Sequence, residues 1–159
     1  MENKTISRNI KIHPSNLTNN IKNHIMTELK KLYENKCILN VGYITEILKI
    51  EKIKSSVISR ANSEIILNIS FNINCVEPKI DSVLNVKVCH VIEEHGILCR
   101  INNIRIIIPS NTLTSNNFTF NKNCFNNQCR SIKLDDFINV KIKGVKYNKD
   151  IYNCFGQLV

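Results

Sequence analysis

The chain has no tryptophan, four glycines, three prolines and two methionines among 159 residues. Glycines so few and so scattered exclude the Gly-rich loop that cradles a nucleotide phosphate. No serine or cysteine stands in a nucleophile signature. No apolar run reaches the roughly 18 residues of a membrane-spanning helix. Met1-Glu2-Asn3-Lys4 is not followed by the apolar core of a secretory signal. A soluble intracellular protein with no membrane partner is expected. Acidic residues are the scarcer charge, 13 against 22 Lys and Arg, for a net charge of +9. The excess is spread along the chain, with 11 basic against 7 acidic residues over 1–78 and 11 against 6 over 79–159. A basic surface without a basic tail favours polyanions, nucleic acid first; an acidic protein partner is the plainer alternative.

What is abundant is isoleucine and asparagine, the composition of an AT-rich genome, in a chain that is 43% hydrophobic. Seven cysteines is an odd number, and Cys75, Cys89, Cys99 and Cys154 fall at strand-like positions. Buried free thiols in a reducing compartment account for them better than a disulfide framework.

The stretch from Val83 to Ser110 reads as three short strands. Leu84, Val86, Val88 and His90 alternate with polar or small neighbours. Gly96 supplies a turn, and Asn102-Asn103 tolerates the positive φ of a hairpin between Ile97–Ile101 and Arg105–Ile108. Such a curved antiparallel meander is how a small OB-type barrel begins.

Before it, Ile6, Ile10 and Ile12 predict a strand that His13-Pro14 ends. Ser15 or Asn16 would cap a helix of five to six turns whose apolar stripe is Leu17, Ile21, Ile25, Leu29 and Leu32. Residues 37–50 predict a strand, or a pair kinked at Gly42. Residues 51–63 are polar and predict one short strand at Val57–Ile58 with exposed loops on either side. Ile65, Leu67, Ile69, Phe71, Ile73 and Cys75 then line one face of a long strand ending at Pro78. After the meander, residues 110–131 predict a long polar loop with Phe118, Phe120 and Phe125 interspersed. Ile138, Val140 and Ile142 mark a closing strand, and Asn148-Lys149-Asp150 turns into the last, Ile151–Leu158. The expected class is α+β: a β-α-β-β-β sheet-plus-helix domain over 1–78, then an all-β OB-fold barrel over 79–159.

Candidate chemistry is thin. Glu93-Glu94-His95 offers acid and base groups, but three adjacent residues do not converge on one substrate atom, and a solvated turn explains them. Cys124 and Cys129 make a loose pair, with His90 and His95 at no zinc-ligand spacing. No catalytic residue, metal site or cofactor is expected. Binding remains. Lys87, Arg100, Arg105, Lys141, Lys143 and Lys146 are expected outward on neighbouring strands, where they would track a nucleic-acid backbone. Tyr147 and the loop phenylalanines would stack on bases. Ile53, Val57 and Ile58, in polar surroundings, fit either an interface anchor or packing within their own sheet.

From Ile6 to Leu158 the order and spacing of parts resemble the stalk, or seventh-subunit, family of DNA-directed RNA polymerases, which has archaeal and poxvirus members. The residues that carry the resemblance are Ile10-Lys11-Ile12-His13-Pro14, Cys37 through Gly42-Tyr43, and the long strand Phe71–Pro78. In the barrel they are Val88 through Gly96-Ile97-Leu98, Asp135 through Gly144, and Gly156-Gln157-Leu158. Departures stand beside these. Leu98 replaces the family's aromatic residue, and Ile108-Pro109 replaces the His-containing hairpin of RNA-binding relatives. Ser55, Ser56, Arg60, Ala61 and Asn62 occupy the Gly-rich docking loop.

The resemblance implies a protein without catalysis, metal or cofactor. Its first domain would dock through Ile53, Lys54, Ser55, Ser56, Arg60 and Asn62 onto the largest and second-largest polymerase core subunits near the clamp. Its barrel would contact nascent RNA. Cellular enzymes add a fourth-subunit stalk partner. Cellular members continue past the final strand, so an end at Val159 with this composition leads to the expectation of a large DNA virus, hence host cytoplasm and virion; a cellular member would be nuclear. The alternative is a free-standing OB-fold RNA-binding factor in translation or RNA decay. A small enzyme built on the Glu93–His95 turn is a third.

Overall fold

Alternating side chains and β-branched residues dominate the chain, and strands dominate the computed structural model, which describes residues 1–17 and 19–159. The chain divides into two units, Met1–Glu77 and Pro78–Val159.

In the first unit, strand β1 (Glu2–Ile12) stops at His13. Pro14–Asn16 form a single 3-10 turn instead of starting the long helix, and the His13 ring accepts from the Ser15 backbone N–H at 3.2 Å and caps that turn. Helix α1 (Ile21–Tyr33) is therefore shorter than its apolar stripe suggested, just under four turns. Ile25 and Leu29 are fully buried, whereas Leu17 and Leu32, expected in the stripe, are exposed. Met26 and Tyr33 pack on the core instead, Tyr33 against Phe71 with ring centroids 5.9 Å apart. Asn35, with φ +61°, takes the left-handed conformation that ends many helices.

Three strands follow: β2 (Cys37–Ile38), β3 (Gly42–Ile58) and β4 (Ile65–Val76). The sheet order is β1-β4-β3-β2, with antiparallel pairing throughout. Cys37–Ile38 and Gly42–Tyr43 pair, so this region is the expected pair with a bend at Gly42. The loops expected within 51–63 are absent up to Ile58, where β3 continues as strand.

The register gives the reason. Ile44, Ile47, Ile50 and Ile53 lie opposite Cys75, Ile73, Phe71 and Ile69, so three residues of β3 advance for every two of β4. Thr45, Leu48, Glu51 and Lys54 have no opposite number; each is the extra residue of a bulge. The bulges keep an isoleucine repeat of three on the core face, which an unbulged strand of period two cannot do. The β4 face read from the sequence is the buried one: Leu67, Ile69, Phe71, Ile73 and Cys75 are at most 5% exposed. On the opposite face Asn68 donates to Asn9 and Thr5 donates to Asn72, an uncharged polar ladder across β1 and β4.

The second unit is organised by a closed barrel. Strands β5 (Val83–Ile92), β6 (Gly96–Ile101) and β7 (Ile104–Pro109) form the expected meander. Asn102, at φ +52°, makes the tight turn between the last two. Gly96, at φ +106°, lies so close to β7 that a Cβ there would sit 2.0 Å from the Ile108 carbonyl oxygen.

The stretch expected as one long loop is ordered. It forms helix α2 (Ser110–Ser115) and a small sheet of β8 (Thr119–Asn121), β9 (Cys124–Asn126) and β10 (Ser131–Ile132). Leu113, Phe118, Phe125 and Ile132 are buried beneath it, apolar residues enough to organise a segment that polar composition hid. Positive φ at Lys122 and Asn123 makes the β8–β9 turn.

Strand β11 (Phe137–Asn148) returns antiparallel to β5, and β12 (Ile151–Leu158) fits between β11 and β7, parallel to β7. Their shared turn has positive φ at Lys149 and Asp150, as the sequence suggested. The barrel order β11-β12-β7-β6-β5 closes through the β11–β5 pair. A mostly β chain with few helices and a five-stranded closed barrel is consistent with an OB-like fold. Val88, Cys99, Ile106, Val140 and Ile142 fill its interior.

Candidate functional site

Each unit carries one surface with unusual side chains. In the first, exposure climbs along β3, from 0% at Ile44 and 2% at Ile47 to 41% at Ile53, 61% at Val57 and 69% at Ile58. The strand outruns the core. Ile53 still faces Ile69, but Val57 and Ile58 pair with Ile66 and Ile65, which are only half-buried. The β3–β4 hairpin thus presents an apolar end. Its turn is locally braced: the Ser59 N–H donates to the Glu64 carbonyl at 2.8 Å, and Asn62 Nδ2 donates to Glu64 Oε2 at 3.0 Å. Asn62 is thereby committed to its own turn. Lys54 donates to Ser7 Oγ at 2.9 Å, while Ser55, Ser56 and Arg60 are exposed. The six residues expected in docking share this hairpin.

In the barrel, antiparallel and parallel registers place candidate cations in one row. Lys87 lies opposite Arg100, Arg100 opposite Arg105, Arg105 opposite Asn153, and Asn153 opposite Lys146. All four cations are exposed. Like charges directly opposite on adjacent strands are destabilising, and an anion laid across them relieves the repulsion. Lys87 has a partial counter-ion in Asp135 at 3.4 Å, and Arg100 Nε donates to the Asn102 carbonyl at 2.7 Å. Beside the row, Cys89, His90, Leu98 and Cys99 join the two arginines in lining a shallow hollow.

The remaining sequence candidates lie elsewhere on the barrel. Lys141 and Lys143 are both drawn to Asp81, at 3.8 and 3.3 Å. Tyr147 is opposite the buried Tyr152, with ring centroids 5.0 Å apart, and donates to Asp150 Oδ1 at 3.0 Å. The phenylalanines expected to stack on bases are structural: Phe118 and Phe125 are buried, and Phe120 meets Phe125 edge to face. The exposed aromatic rings are instead Phe137, opposite Lys87, and Phe155, opposite Gly144. Sequence reasoning missed both. The alternation of Tyr152, Cys154 and Gly156 on the buried side of β12 was the signal that puts Phe155 outside.

Glu93, Glu94 and His95 are exposed at a turn. Cys124 is half-buried with its thiol toward the Lys122 carbonyl, and Cys129 is exposed. Among the described residues no three His, Cys, Asp or Glu side chains are grouped to hold a metal ion. Burial pushes the Cys99 thiol up to about 12, with Cys89 nearby adding to the rise, and pushes Cys154 up to about 11. Neither is a thiolate at neutral pH, so neither is a poised nucleophile. Burial also raises Tyr43, with Cys37 adding to the effect.

Comparison with curated proteins finds no match to the chain. Residues 7–66, from the middle of β1 through α1 and the β3 hairpin into β4, match the family model described as the SHS2 domain found in the N terminus of Rpb7p/Rpc25p/MJ0397, so the first unit is similar to that domain.

Proposed function

We propose that this chain is a non-catalytic stalk subunit of a multisubunit DNA-directed RNA polymerase. The observation that carries the reading is the match of residues 7–66 to the N-terminal domain of Rpb7p/Rpc25p/MJ0397. Two features support it. The matched segment includes a hairpin whose β3 arm carries exposed apolar residues up to its polar turn, the kind of small anchor that packs on a larger partner. The barrel that follows carries a cationic row suited to a phosphate backbone.

In this reading the β3–β4 hairpin docks on the polymerase core near the clamp, with Ile53, Val57 and Ile58 as anchors and Lys54, Ser55, Ser56 and Arg60 at their rim. The barrel contacts nascent RNA through Lys87, Arg100, Arg105 and Lys146. The polymerase core supplies the chemistry; the role asks of this chain position and affinity, not a reactive group.

The test is co-purification of the tagged chain from its source. Large polymerase subunits should accompany the wild type, and Val57→Lys with Ile58→Lys should release them. Both positions are more than half exposed, so the melting temperature should stay within a few degrees. Recovery of the wild-type chain without polymerase subunits overturns the reading. Recovery with RNA alone, and a steep salt dependence, would favour the free-standing RNA-binding factor.

A further inference from the structure

A bulge in β5 brings a thiol and an imidazole onto one face of the barrel. Val88 lies opposite Cys99 and His90 opposite Leu98, so β5 carries one more residue than β6 between these pairs. The Val88 backbone points away from β6. Its N–H donates to the Asp136 carbonyl at 2.8 Å, and its carbonyl accepts from the Asp135 N–H at 3.0 Å. The bulge is therefore Cys89 and His90 against Leu98. Simple alternation from Val86 and Val88, both buried, would send His90 inward. The extra residue turns it outward instead, beside Cys89, and His90 is exposed.

Cys89 and His90 line one hollow with Leu98, Arg100 and Arg105. Its volume is about 350 Å³, within the range of small-ligand sites. The two arginines lie directly opposite each other and are exposed. Cys89 is half-buried, its thiol donating to the Lys87 carbonyl at 3.7 Å. The other thiols lack this setting. Cys37, Cys75, Cys99 and Cys154 are buried. Cys124 lines a hollow whose one charged residue is Lys122. Cys129 is exposed, and the guanidinium of its neighbour Arg130 lies over the Phe118 ring, 5.8 Å from its centroid.

A thiol beside fixed cations meets anionic reagents at raised local concentration. Guanidinium forks also hold carboxylates in defined pairs. Oxidised glutathione is a small disulfide that is rich in carboxylates and anionic at neutral pH, and it belongs to the redox buffer of reducing compartments.

We propose that Cys89 is a site of S-glutathionylation, with Arg100 and Arg105 receiving the carboxylates of oxidised glutathione. The Cys89 thiol gives up its proton, and the thiolate attacks one sulfur of the glutathione disulfide. A Cys89–glutathione disulfide forms as the original S–S bond breaks. The second glutathione leaves as a thiolate and takes up the proton. Cys89 is oxidised, the departing glutathione is reduced, and excess reduced glutathione reverses the step. The adduct fills the hollow and carries negative charge into the cationic row, whatever that row binds.

The experiment uses the reduced full chain and two disulfides, oxidised glutathione, which is anionic, and cystamine, which is cationic. Samples are quenched with acid over time, and peptide mass spectrometry gives the modification rate of each cysteine at low and at high salt. Cys129 is the reference within the same molecule. Modification of Cys99 or Cys154 marks unfolded material, which is left out of the comparison. The Cys89-to-Cys129 rate ratio should be about ten-fold higher with oxidised glutathione than with cystamine at low salt, and high salt should bring the two ratios together. Arg105→Gln should lower the Cys89 rate with oxidised glutathione several-fold and leave Cys129 unchanged. Thermal melting checks that the variant is folded, which the exposure of Arg105 favours.

Equal ratios for the two reagents at low salt overturn the proposal, and this comparison needs no variant. So does a preference that salt and Arg105→Gln leave intact, because access alone then explains it. A glutathione adduct that reduced glutathione does not remove also overturns it.

Discussion

Removing Leu48 should leave the first unit folded, although it lies inside a strand. A one-residue deletion in an ordinary strand moves every later side chain to the other face. Here Leu48 is the extra residue of a bulge. Without it, Ile47, Lys49 and Ile50 become consecutive and still meet Ile73, Asn72 and Phe71 in an unbroken ladder. The loss is confined to Leu48 itself, which is 39% exposed. Complete burial of a leucine is worth about 1.5–3 kcal/mol, so the deletion should cost about 1–2 kcal/mol and lower Tm by roughly 5–10 °C.

Deleting Asn72 from β4 is the control, because no bulge lies on that strand. It turns either Ile73 and Cys75 or Phe71, Ile69 and Leu67 away from the core. The smaller of these losses is about 3–5 kcal/mol, comparable with the whole stability of a small domain. The assay is thermal and urea unfolding of the purified full chain followed by circular dichroism. Equal and complete unfolding of both deletions would refute the three-to-two pairing. So would a tolerated Asn72 deletion.

Other expectations follow from the same geometry. Gly96→Ala combines a backbone at φ +106° with a Cβ 2.0 Å from the Ile108 carbonyl oxygen, and should cost about 2–4 kcal/mol in urea unfolding; a neutral result would mean that β6 enters the barrel differently. Cys99 has a folded pKa of about 12 against an ordinary 9.0, so the unfolded chain loses its proton first. The stability contributed by the neutral thiol is therefore complete below about pH 9 and lost as pH rises toward 12, which urea titrations at stepped pH will read; Cys99→Ser should flatten that slope. Thiol labelling at pH 8 should modify Cys129 first and spare Cys99 and Cys154 until the chain unfolds, and early labelling of Cys99 would contradict its burial.

Local chemistry was readable wherever one residue type settles a conformation. Pro14 ended β1, Asn102 and the Lys149-Asp150 pair made hairpin turns, and strict alternation marked the buried face of β4 and the inward residues of β11. Length and burial of the helix were less legible, since Leu17 and Leu32 share the helical spacing of the buried residues. The residues from Glu51 to Ser56 looked like loop because polar side chains and a repeat of three match neither helix nor strand; only pairing with β4 shows that bulges absorb the third residue. The 110–131 stretch misled for a related reason, its three buried anchors, Leu113, Phe118 and Phe125, being diluted by asparagine.

The candidate surfaces divide in the same way. By itself the sequence determined that the chain is basic, thiol-rich without a disulfide pattern, short of phosphate-loop glycines and built mainly of half-buried strands, because charge, composition and two-residue periodicity are properties of the linear chain. Only the tertiary structure decided which candidate cations fall in one row. Lys87, Arg100, Arg105 and Lys146 come from four strands and meet through register, whereas Lys141 and Lys143 turn to Asp81. It also exchanged the aromatic candidates, burying Phe118 and Phe125 and setting Tyr147 against Tyr152 while leaving Phe155 outside. Burial and register depend on which strands become neighbours, and that is a fact of closure that no single segment contains.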